Sequence, residues 1–298
     1  MCRANEIEEE RVEEHLHDAG ENSGSLAYVM REAVGAAIAA IRAQKLHGFE
    51  AQEKRGYDGV CDDVVTTADK KAQELYLSFL REAFPDYRII AEEDELRVEP
   101  QNGCTTYFTI DPLDGTKAFV RGQSHGVGTM IACVENGQVL AAFIGDVNTQ
   151  EVCGYTDEGP VTITYPEGVS RELGYCQPWV KGRSRILLFN RKRTYSRMSA
   201  RLVGFNFETY NHDSGGIGVM MMRLWRREVA AVLLNREYDT PWDMAPVIGI
   251  CRKLGYVFYK PGYREWLPHT MNLCEEKYYR DHEMLIIHQN DRGIIENT

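Results

Sequence analysis

The sequence predicts a mixed α/β fold, of the α+β kind, in which layers of helix pack against layers of sheet. Two amphipathic helical segments come first, a run of short apolar strands follows, and the second half alternates between strands and helices. The 298 residues are enough for a large core, as one large domain or two smaller ones. No linker is obvious, and we place a soft boundary near residue 182, which separates a first half at 26–182 from a second half at 183–298.

The first half opens with an acidic lead-in and two helices. Residues 1–25 contain a run in which six of nine residues, 6–14, are glutamate, as in a solvated helix or a frayed tail. Leu26 to Leu46 carries apolar residues at helical spacing. A second helix follows Asp63-Val-Val-Thr-Thr, with Thr67 as its expected N-cap and Pro85 at its end.

Strands fill the rest of the first half. Arg88 to Ala91 is a short strand that ends at Glu92-Glu93-Asp94, and Thr105 to Ile110 is a strand that runs into Asp111. Asn136-Gly137 between two apolar runs predicts a hairpin. The hairpin strands are 128–134 and 139–146, and two further strands are expected at 151–155 and 161–165.

The second half repeats strands and helices in alternation. A helix is expected from Ser214 to Arg227, and another from Asp243 to Leu254, where Gly255 stops it. The strands are expected at 185–189, 229–234, 256–259 and 283–287.

Composition excludes several classes of protein. The net charge of −11 and the pI of about 5.3 argue against a nucleic acid polymer as partner. The eight cysteines are scattered without a C-x-x-C pair, which favours free thiols in a reducing compartment. The longest apolar stretch is too short for a bilayer and the N-terminus does not read as a signal peptide, so we expect a cytoplasmic protein without a membrane partner.

The segment Asp111-Pro-Leu-Asp-Gly-Thr116 carries the chemistry. Pro112 and Gly115 set the turn, which can aim both aspartates and the Leu113 carbonyl at one point. Crowded carboxylates beside a core are costly unless a cation compensates, and oxygen ligands select Mg²⁺ or Mn²⁺. The plain alternative is an Asx-type turn that caps a helix. Acidic residues at Glu92-Glu93 and Trp242-Asp243 favour the metal site.

These segments together resemble the inositol monophosphatase superfamily of metal-dependent, lithium-sensitive phosphatases. The resemblance covers about residues 26 to 290 and implies a five-layered α/β/α/β/α sandwich of the sugar-phosphatase type. Four pieces match in the family's order: Asp63-Val-Val-Thr-Thr-Ala-Asp69, Ala91-Glu-Glu-Asp94, Asp111-Pro-Leu-Asp-Gly-Thr116 and Trp242-Asp243.

The resemblance also implies roles for the matched residues. Glu92, Asp111 and the Leu113 carbonyl would hold a first Mg²⁺, and Asp111, Asp114 and Asp243 a second. Glu92 is also placed for a third, weaker ion near the attacking water, so two or three ions are expected, with Mn²⁺ as a substitute. Thr116 would orient that water while Asp69 accepts the proton of Thr116. A homodimer is expected as well. The substrate contacts would be the amides of Gly115 and Thr116 at a helix N-terminus, then Gly215, Gly216 and Arg236.

Four departures from the family pattern bear on the substrate. Gly216 stands where the family has a small hydroxyl residue, and Ser214 is expected to cap a helix or to compensate. Arg236 stands seven residues before Asp243, where inositol-processing members have glutamate, unless a length difference moves it to the surface. The family's lysine upstream of Asp69 has no clear match, because Asp58 falls near its place. Pro246 replaces a small residue after Trp242-Asp243 and is expected in the first turn of the helix.

A basic cluster between 191 and 201 is the remaining feature. Its default interpretation is a solvated helix face, and the alternative is recognition of a second phosphate or another anionic group. Its members are Arg191, Lys192, Arg193, Arg197 and Arg201.

We therefore expect a Mg²⁺-dependent phosphomonoesterase that hydrolyses a small soluble phosphate ester with a metal-activated water. The motif continues through Lys117, Phe119 and Gly122, which is similar to the bisphosphate nucleotidase and histidinol-phosphatase branches rather than the inositol branch. The alternatives are an inositol monophosphatase proper and a non-catalytic phosphate-binding or regulatory member of the fold. The intact acidic set argues against the non-catalytic alternative.

Overall fold

The computed structural model describes most of the chain from residue 25 onwards. Residues 1–24 of the acidic lead-in, Asp58, Ser214 and the basic residues Arg191 to Arg193 fall outside the described residues, so the expectations about them stay predictions. The described residues are 25–57, 59, 61, 63–100, 103–156, 159–180, 184–189, 195–212, 215–267, 273 and 275–296.

Five layers of secondary structure alternate between helix and sheet, as expected. One buried cluster packs the first two helices against one face of an eight-stranded sheet. A second cluster fills the space between that sheet's other face and a six-stranded sheet, and it contains a central pair of helices. A third cluster packs two helices, at 197–206 and 293–296, against the outer face of the six-stranded sheet. The order is therefore α/β/α/β/α.

The helices begin and end where the sequence supplies caps and stops. Ser25 accepts the Tyr28 N–H at the start of the first helix, and Gly48, at a φ of 101°, follows its last residue. The helices are α1 (Leu26–His47), α2 (Thr67–Ala83), α3 (Thr116–Val120), α4 (Arg197–Asn206), α5 (Ile217–Trp225), α6 (Pro241–Lys253) and α7 (Gly293–Glu296).

Two predicted helix starts were wrong for local reasons. Thr66, not Thr67, is the N-cap of α2, because its side chain accepts a helix N–H while Asp69 reaches back to the Thr66 N–H. Helix α6 begins at Pro241 after the Thr240 cap, so Pro246 lies in the second turn rather than the first.

The eight-stranded sheet carries the first half of the site. Its strands are β3 (Arg88–Ala91), β4 (Arg97–Val98), β5 (Tyr107–Asp114), β6 (Gly128–Glu135), β7 (Gln138–Asp146), β8 (Val152–Thr156), β9 (Thr162–Thr164) and β10 (Ser170–Glu172). Their order in the sheet is β10-β9-β8-β7-β6-β5-β3-β4, and the neighbours β3 and β5 run parallel. The predicted hairpin is confirmed: Asn136 and Gly137 both have positive φ between β6 and β7.

The six-stranded sheet belongs to the second half. Its strands are β11 (Arg185–Phe189), β12 (Glu208–His212), β13 (Ala231–Leu234), β15 (Tyr256–Lys260), β16 (Glu265–Trp266) and β18 (Met284–His288). Their order in the sheet is β12-β11-β13-β18-β15-β16, and β11 lies parallel to both β12 and β13. Two small antiparallel pairs complete the strands: β1 (Ala51–Lys54) with β2 (Asp63–Thr66), and β14 (Glu237–Asp239) with β17 (Tyr278–Arg280).

Several general expectations can be compared with this fold. Met220, Met221 and Met222 are buried in the central layer, as predicted. The six described cysteines are free. Within the described residues, no helix combines the length and the apolar character needed to cross a bilayer.

Candidate active site

The side chains of Asp69 and Thr116 form a hydrogen-bonded pair. Thr116 Oγ1 donates to Asp69 Oδ1 at 2.9 Å and also lies 3.1 Å from the Leu113 carbonyl oxygen. Asp69 stands in the first turn of α2, where it also accepts the Thr66 N–H at 2.8 Å. Burial raises the pKa of Asp69 to about 6, against the opposing hydrogen bonds from Thr66 and Thr116. The pair is therefore a fixed hydroxyl whose proton points to a carboxylate.

Three aspartates from two elements meet beside this pair. Asp111 and Asp114 stand at the end of β5, and Asp243 stands in the first turn of α6. One carboxylate oxygen from each lies within 4.8 Å of the others. The strand predicted to end at Ile110 continues to Asp114, with a break in register between Asp111 and Asp114. That irregularity accompanies the turn at Pro112.

The carboxylate of Asp114 also caps helix α5. It accepts the Ile217 N–H at 3.0 Å and the Gly218 N–H at 2.7 Å. Gly216 permits this approach, because a Cβ atom there would lie 2.1 Å from Cγ of Asp114. Packing therefore explains why position 216 is a glycine in this chain. It allows a carboxylate to reach the N-terminus of a central helix.

Gly115 forms the tight corner between β5 and α3. Its φ is 91°, and a Cβ there would lie 2.2 Å from the Gly126 carbonyl oxygen and 2.7 Å from the Gly216 nitrogen. Its own carbonyl accepts the N–H groups of Ala118 and Phe119. Thr116 is the first residue of the short helix that follows. The corner brings Gly115 and Gly216 side by side next to the aspartates.

Glu92 and Glu93 lie across from the aspartates and share one cation. Lys54 Nζ is 2.9 Å from Glu92 Oε1 and 3.1 Å from Glu93 Oε1. Gln73 on α2 holds the loop, since its amide exchanges two hydrogen bonds of 3.1 Å with the backbone of Glu93. Burial alone would lower the pKa of Lys54, but the two glutamates outweigh it and raise the pKa. Lys54 is therefore charged and pairs with the acidic loop.

The acidic groups are strongly perturbed by burial and by one another. Burial, followed by repulsion from Glu92, Asp114 and Asp243, raises the pKa of Asp111 well above its usual range. Burial and the neighbouring Glu92 raise the pKa of Glu93 to about 7, against the opposing effect of Lys54. Several carboxylates therefore lie close together, and Lys54 pairs with two of them. The donor set, all oxygen and partly buried, fits a hard divalent cation.

An aromatic group borders the acidic residues. The Tyr57 hydroxyl lies 3.4 Å from Glu92 Oε1. The centroid of its ring is 6.3 Å from those of Tyr238 and Trp242, and Lys277 Nζ lies 5.0 Å from it. Burial, and then the charges of Glu92, Asp243 and Asp111, raise the pKa of Tyr57. The phenol is therefore a neutral hydrogen-bond donor at this border.

Sequence reasoning missed Lys54 and Tyr57. The family's lysine was expected near Asp58, which lies outside the described residues, whereas Lys54 at the end of β1 pairs with Glu92. The pairing of β1 with β2 positions Lys54, since it places this residue opposite Asp63. The sequence would have indicated this pairing only if the length of the loop between the two strands had been known.

The remaining predicted contact residues lie at different distances from this cluster. Gly216 packs against Asp114 of the cluster, and Gly215, the residue before Gly216, has a φ of 128°. Arg236 is exposed in the turn between β13 and β14. Its backbone N–H donates a hydrogen bond to Asn235 Oδ1. Strand β14 leads from that turn to Thr240, whose hydroxyl donates to Asp243 at 2.7 Å. Arg236 thus stands one short strand before the helix that bears Asp243.

Comparison with known proteins matches one protein family and several relatives. The model of the inositol monophosphatase family matches residues 25–293. The chain is 35% identical over 89 residues to the Nus factor SuhB of Pseudomonas aeruginosa, which is 30% of this chain and 32% of that protein. It is 38% identical over 84 residues to the 3'(2'),5'-bisphosphate nucleotidase CysQ of Salmonella typhimurium, which is 28% of this chain and 33% of that protein. The chain thus aligns with about a third of the length of each of these curated relatives.

Solved structures share the fold over most of the chain. The extragenic suppressor protein suhB from Bartonella henselae superposes with a TM-score of 0.69 at 17% identity, over 91% of this chain and 97% of that one. An IMPase/NADP phosphatase complexed with Mg²⁺ and phosphate superposes with a TM-score of 0.64 at 16% identity, over 86% and 87%. At these identities the likeness concerns the fold alone. Together with the match over residues 25–293, it leads to one conclusion: the chain belongs to the inositol monophosphatase family, a family of metal-dependent phosphatases.

Proposed function

We propose that this chain is a Mg²⁺-dependent phosphomonoesterase that hydrolyses a small soluble phosphate ester by attack of a water molecule. The observation that carries the proposal is the position of the Thr116–Asp69 pair, which is linked through the Leu113 carbonyl to the aspartate cluster. A phosphatase needs an activated water, a neutralised phosphate and a stabilised leaving oxygen. This chain offers groups for each.

The metal ligands are proposed as two sets. Glu92, Asp111 and the Leu113 carbonyl would hold one ion, and Asp111, Asp114 and Asp243 another, with a third, weaker ion at Glu92. Bound divalent cations would lower the pKa of the attacking water and offset the charge of the phosphate. The oxygen-only donor set supports Mg²⁺, with Mn²⁺ as substitute.

The other groups would act on the water and on the phosphate. Thr116 Oγ1 would hold the water while Asp69 keeps the hydroxyl proton directed away from it. The N–H groups of Gly115 and Thr116 would donate hydrogen bonds to phosphate oxygens at the start of α3. The pKa of about 6 for Asp69 allows it to be ionised at neutral pH.

The proposed substrate is a bisphosphorylated nucleotide or another non-inositol phosphate. Gly216 supplies no hydroxyl, and its place is explained by its packing on Asp114. Arg236 supplies a cation where inositol-processing members carry glutamate, and a charge-assisted contact to a second phosphate contributes about 1.5–3 kcal/mol. We also propose that Gly215 lines the substrate site, that the enzyme is a cytoplasmic homodimer, and that lithium inhibits it through the Asp111, Asp114 and Asp243 site.

A non-catalytic role is the second candidate, because a relative is named a Nus factor. The hydrogen-bonded Thr116–Asp69 pair argues against it, since a binding protein has no need to orient a hydroxyl beside a carboxylate cluster. The test is a phosphate-release panel of nucleotide, sugar, inositol and amino-alcohol phosphates, each with Mg²⁺ and with EDTA. Adenosine 3′,5′-bisphosphate is expected to give a higher kcat/KM than inositol 1-phosphate, and Arg236→Glu to narrow the difference. Best activity on inositol 1-phosphate, or an unchanged ratio of the two kcat/KM values in Arg236→Glu, would refute the substrate assignment.

A further inference from the structure

A groove lies on the outer face of the six-stranded sheet, far in the fold from the aspartate cluster. It runs between helix α4, the β15–β16 hairpin and helix α7, and its volume is about 580 Å³. Ligand sites of small molecules have volumes of about 300–1,000 Å³. The aspartates lie at the central helices, on the other side of this sheet. The groove is therefore separate from the candidate active site.

Aromatic side chains form much of the groove. Tyr259 and Trp266 pack with ring centroids 4.8 Å apart at an angle of 51°. The guanidinium carbon of Arg292 lies 4.4 Å from the centroid of the Trp266 ring, which further fixes that ring. Phe205, on α4, is 61% exposed at the edge of the groove. A large aromatic side chain exposed beside a preformed aromatic surface is typical of a binding site.

Two guanidinium groups give the groove its charge. Arg201 and Arg264 both line it, and both are exposed. Among the described residues neither has a carboxylate partner, and the nearby Glu265 pairs with Lys260 at 3.8 Å instead. The Arg201 guanidinium lies 5.6 Å from the centroid of the Phe205 ring, so cation and ring are presented together. In a chain with a net charge of −11, two such arginines favour an anionic ligand.

We propose that this groove binds a small heteroaromatic anion, a flat ring that bears a phosphate or carboxylate group. The ring stacks on the surface formed by Trp266 and Phe205, and the anionic group is bound by Arg201 and Arg264. Glu296, which also lines the groove, accepts an N–H donor from the heterocycle. The site is a second, non-catalytic binding site and does not depend on the proposed phosphatase function.

Calorimetry with adenosine 5′-monophosphate tests the proposal, with indole-3-carboxylate as the carboxylate-bearing probe. The full chain is titrated in EDTA, so that metal ions do not recruit the nucleotide to the aspartates. One saturable site per chain is expected. Neutral adenosine and indole should bind about a hundredfold more weakly, since two charge-assisted hydrogen bonds are lost and each costs about a factor of ten. The double variant Arg201→Ala/Arg264→Ala should weaken the binding of the anions by about the same factor.

Matched controls separate the groove from other surfaces. Arg81→Ala/Arg171→Ala removes two exposed arginines elsewhere and should leave binding unchanged. Asp114→Asn should also leave it unchanged, and the groove variant should keep its phosphatase activity without added ligand. Thermal unfolding checks that each variant is folded.

The proposal is overturned by any of several results. These are no saturable binding of either anion at millimolar concentrations, equal binding of anionic and neutral probes, or retention of binding in the groove double variant. Loss of binding in Asp114→Asn, with binding retained in the groove double variant, would place the nucleotide in the active site instead. A chain that sediments as a dimer, and as a monomer after Phe205→Ser, would identify the groove as an interface between two copies.

Discussion

A Cβ atom at Gly216 would lie 2.1 Å from Cγ of Asp114, so the carboxylate and the start of helix α5 can meet only across a glycine. The same carboxylate accepts two N–H groups of that helix. The aspartate cluster and the central helix layer are therefore joined by one contact. Disturbing it should affect metal binding and stability together.

Gly216→Ala tests this contact. The added methyl group must displace Asp114 or the helix, and overpacking of this kind costs about 1–3 kcal/mol of unfolding free energy. Metal affinity should fall as well. Gly204→Ala on α4 is the matched control, because a Cβ there meets nothing within 4 Å and alanine favours the helix. Denaturant unfolding and Mg²⁺ calorimetry measure both; wild-type values for Gly216→Ala would refute the argument.

Thr116→Ala separates water activation from metal binding. Loss of the hydroxyl should reduce kcat by about 10²-fold while Mg²⁺ binding stays close to wild type. Thr116→Ser retains the hydroxyl and should recover most of the rate. Asp114→Asn, in contrast, should lower the rate and the metal affinity together. Steady-state kinetics beside Mg²⁺ calorimetry measures the difference, and equal loss of metal binding in the alanine and asparagine variants would show that Thr116 is assigned wrongly.

Lys54→Met tests the shared cation of the acidic loop. Without the ammonium group, Glu92 and Glu93 lose their positive partner, and the metal-free protein should lose about 1–3 kcal/mol of unfolding free energy. A divalent cation would then have more charge to offset, so the gain in melting temperature on adding Mg²⁺ should be larger than in wild type. Lys71→Met, at an exposed ion pair on α2, is the control. An unchanged Mg²⁺ effect in Lys54→Met would contradict the prediction.

The metal-free protein should become less stable as the pH rises. The pKa values of Asp69 and Glu93 are raised to about 6 and about 7, so the folded state binds these protons more tightly than the unfolded state does. Their stabilising contribution is complete below the unfolded pKa of about 4 and is lost as the pH passes through about 6 to 7. The midpoint of urea unfolding in EDTA should therefore be lower at pH 8 than at pH 5.5.

Two comparisons isolate that pH effect. Mg²⁺ should reduce it, because the cation stabilises the ionised carboxylates. Glu93→Gln should also reduce it, because one titrating group is gone. If the urea midpoint of Glu93→Gln changed with pH as much as that of the wild type, Glu93 would not be one of the titrating groups.

The sequence predicted much of the layering and the residues of the acidic cluster, because both depend on local patterns. Apolar periodicity located α1, and Asn136-Gly137 located the β6–β7 hairpin. The carboxylates at Glu92, Asp111, Asp114 and Asp243 stand at strand ends or at a helix start, where their position follows from the element that precedes them. Five layers were predicted through the family resemblance, and the three packing clusters bear this out.

The features that were not predicted from the sequence depend on contacts between distant parts of the chain. Lys54 is identified only by its approach to Glu92, 38 residues away. Asp114 caps α5 across 103 residues, so no local signal marks Gly216 as a packing residue. Helix α4 was predicted only in part, as a solvated helix face within the basic cluster at 191–201, and its extension to Asn206 was not predicted. Strand β12 pairs in parallel with β11, a partner that its own sequence does not reveal.

Phosphate release as a function of Mg²⁺ concentration, after exhaustive dialysis against EDTA, tests the central proposal most directly. The proposal predicts no release in EDTA, recovery with Mg²⁺, partial recovery with Mn²⁺ and inhibition by Ca²⁺, whose looser coordination would misplace the water. Asp114→Asn should need far more Mg²⁺ for any recovery. Full release in EDTA from the dialysed wild-type protein would contradict the account.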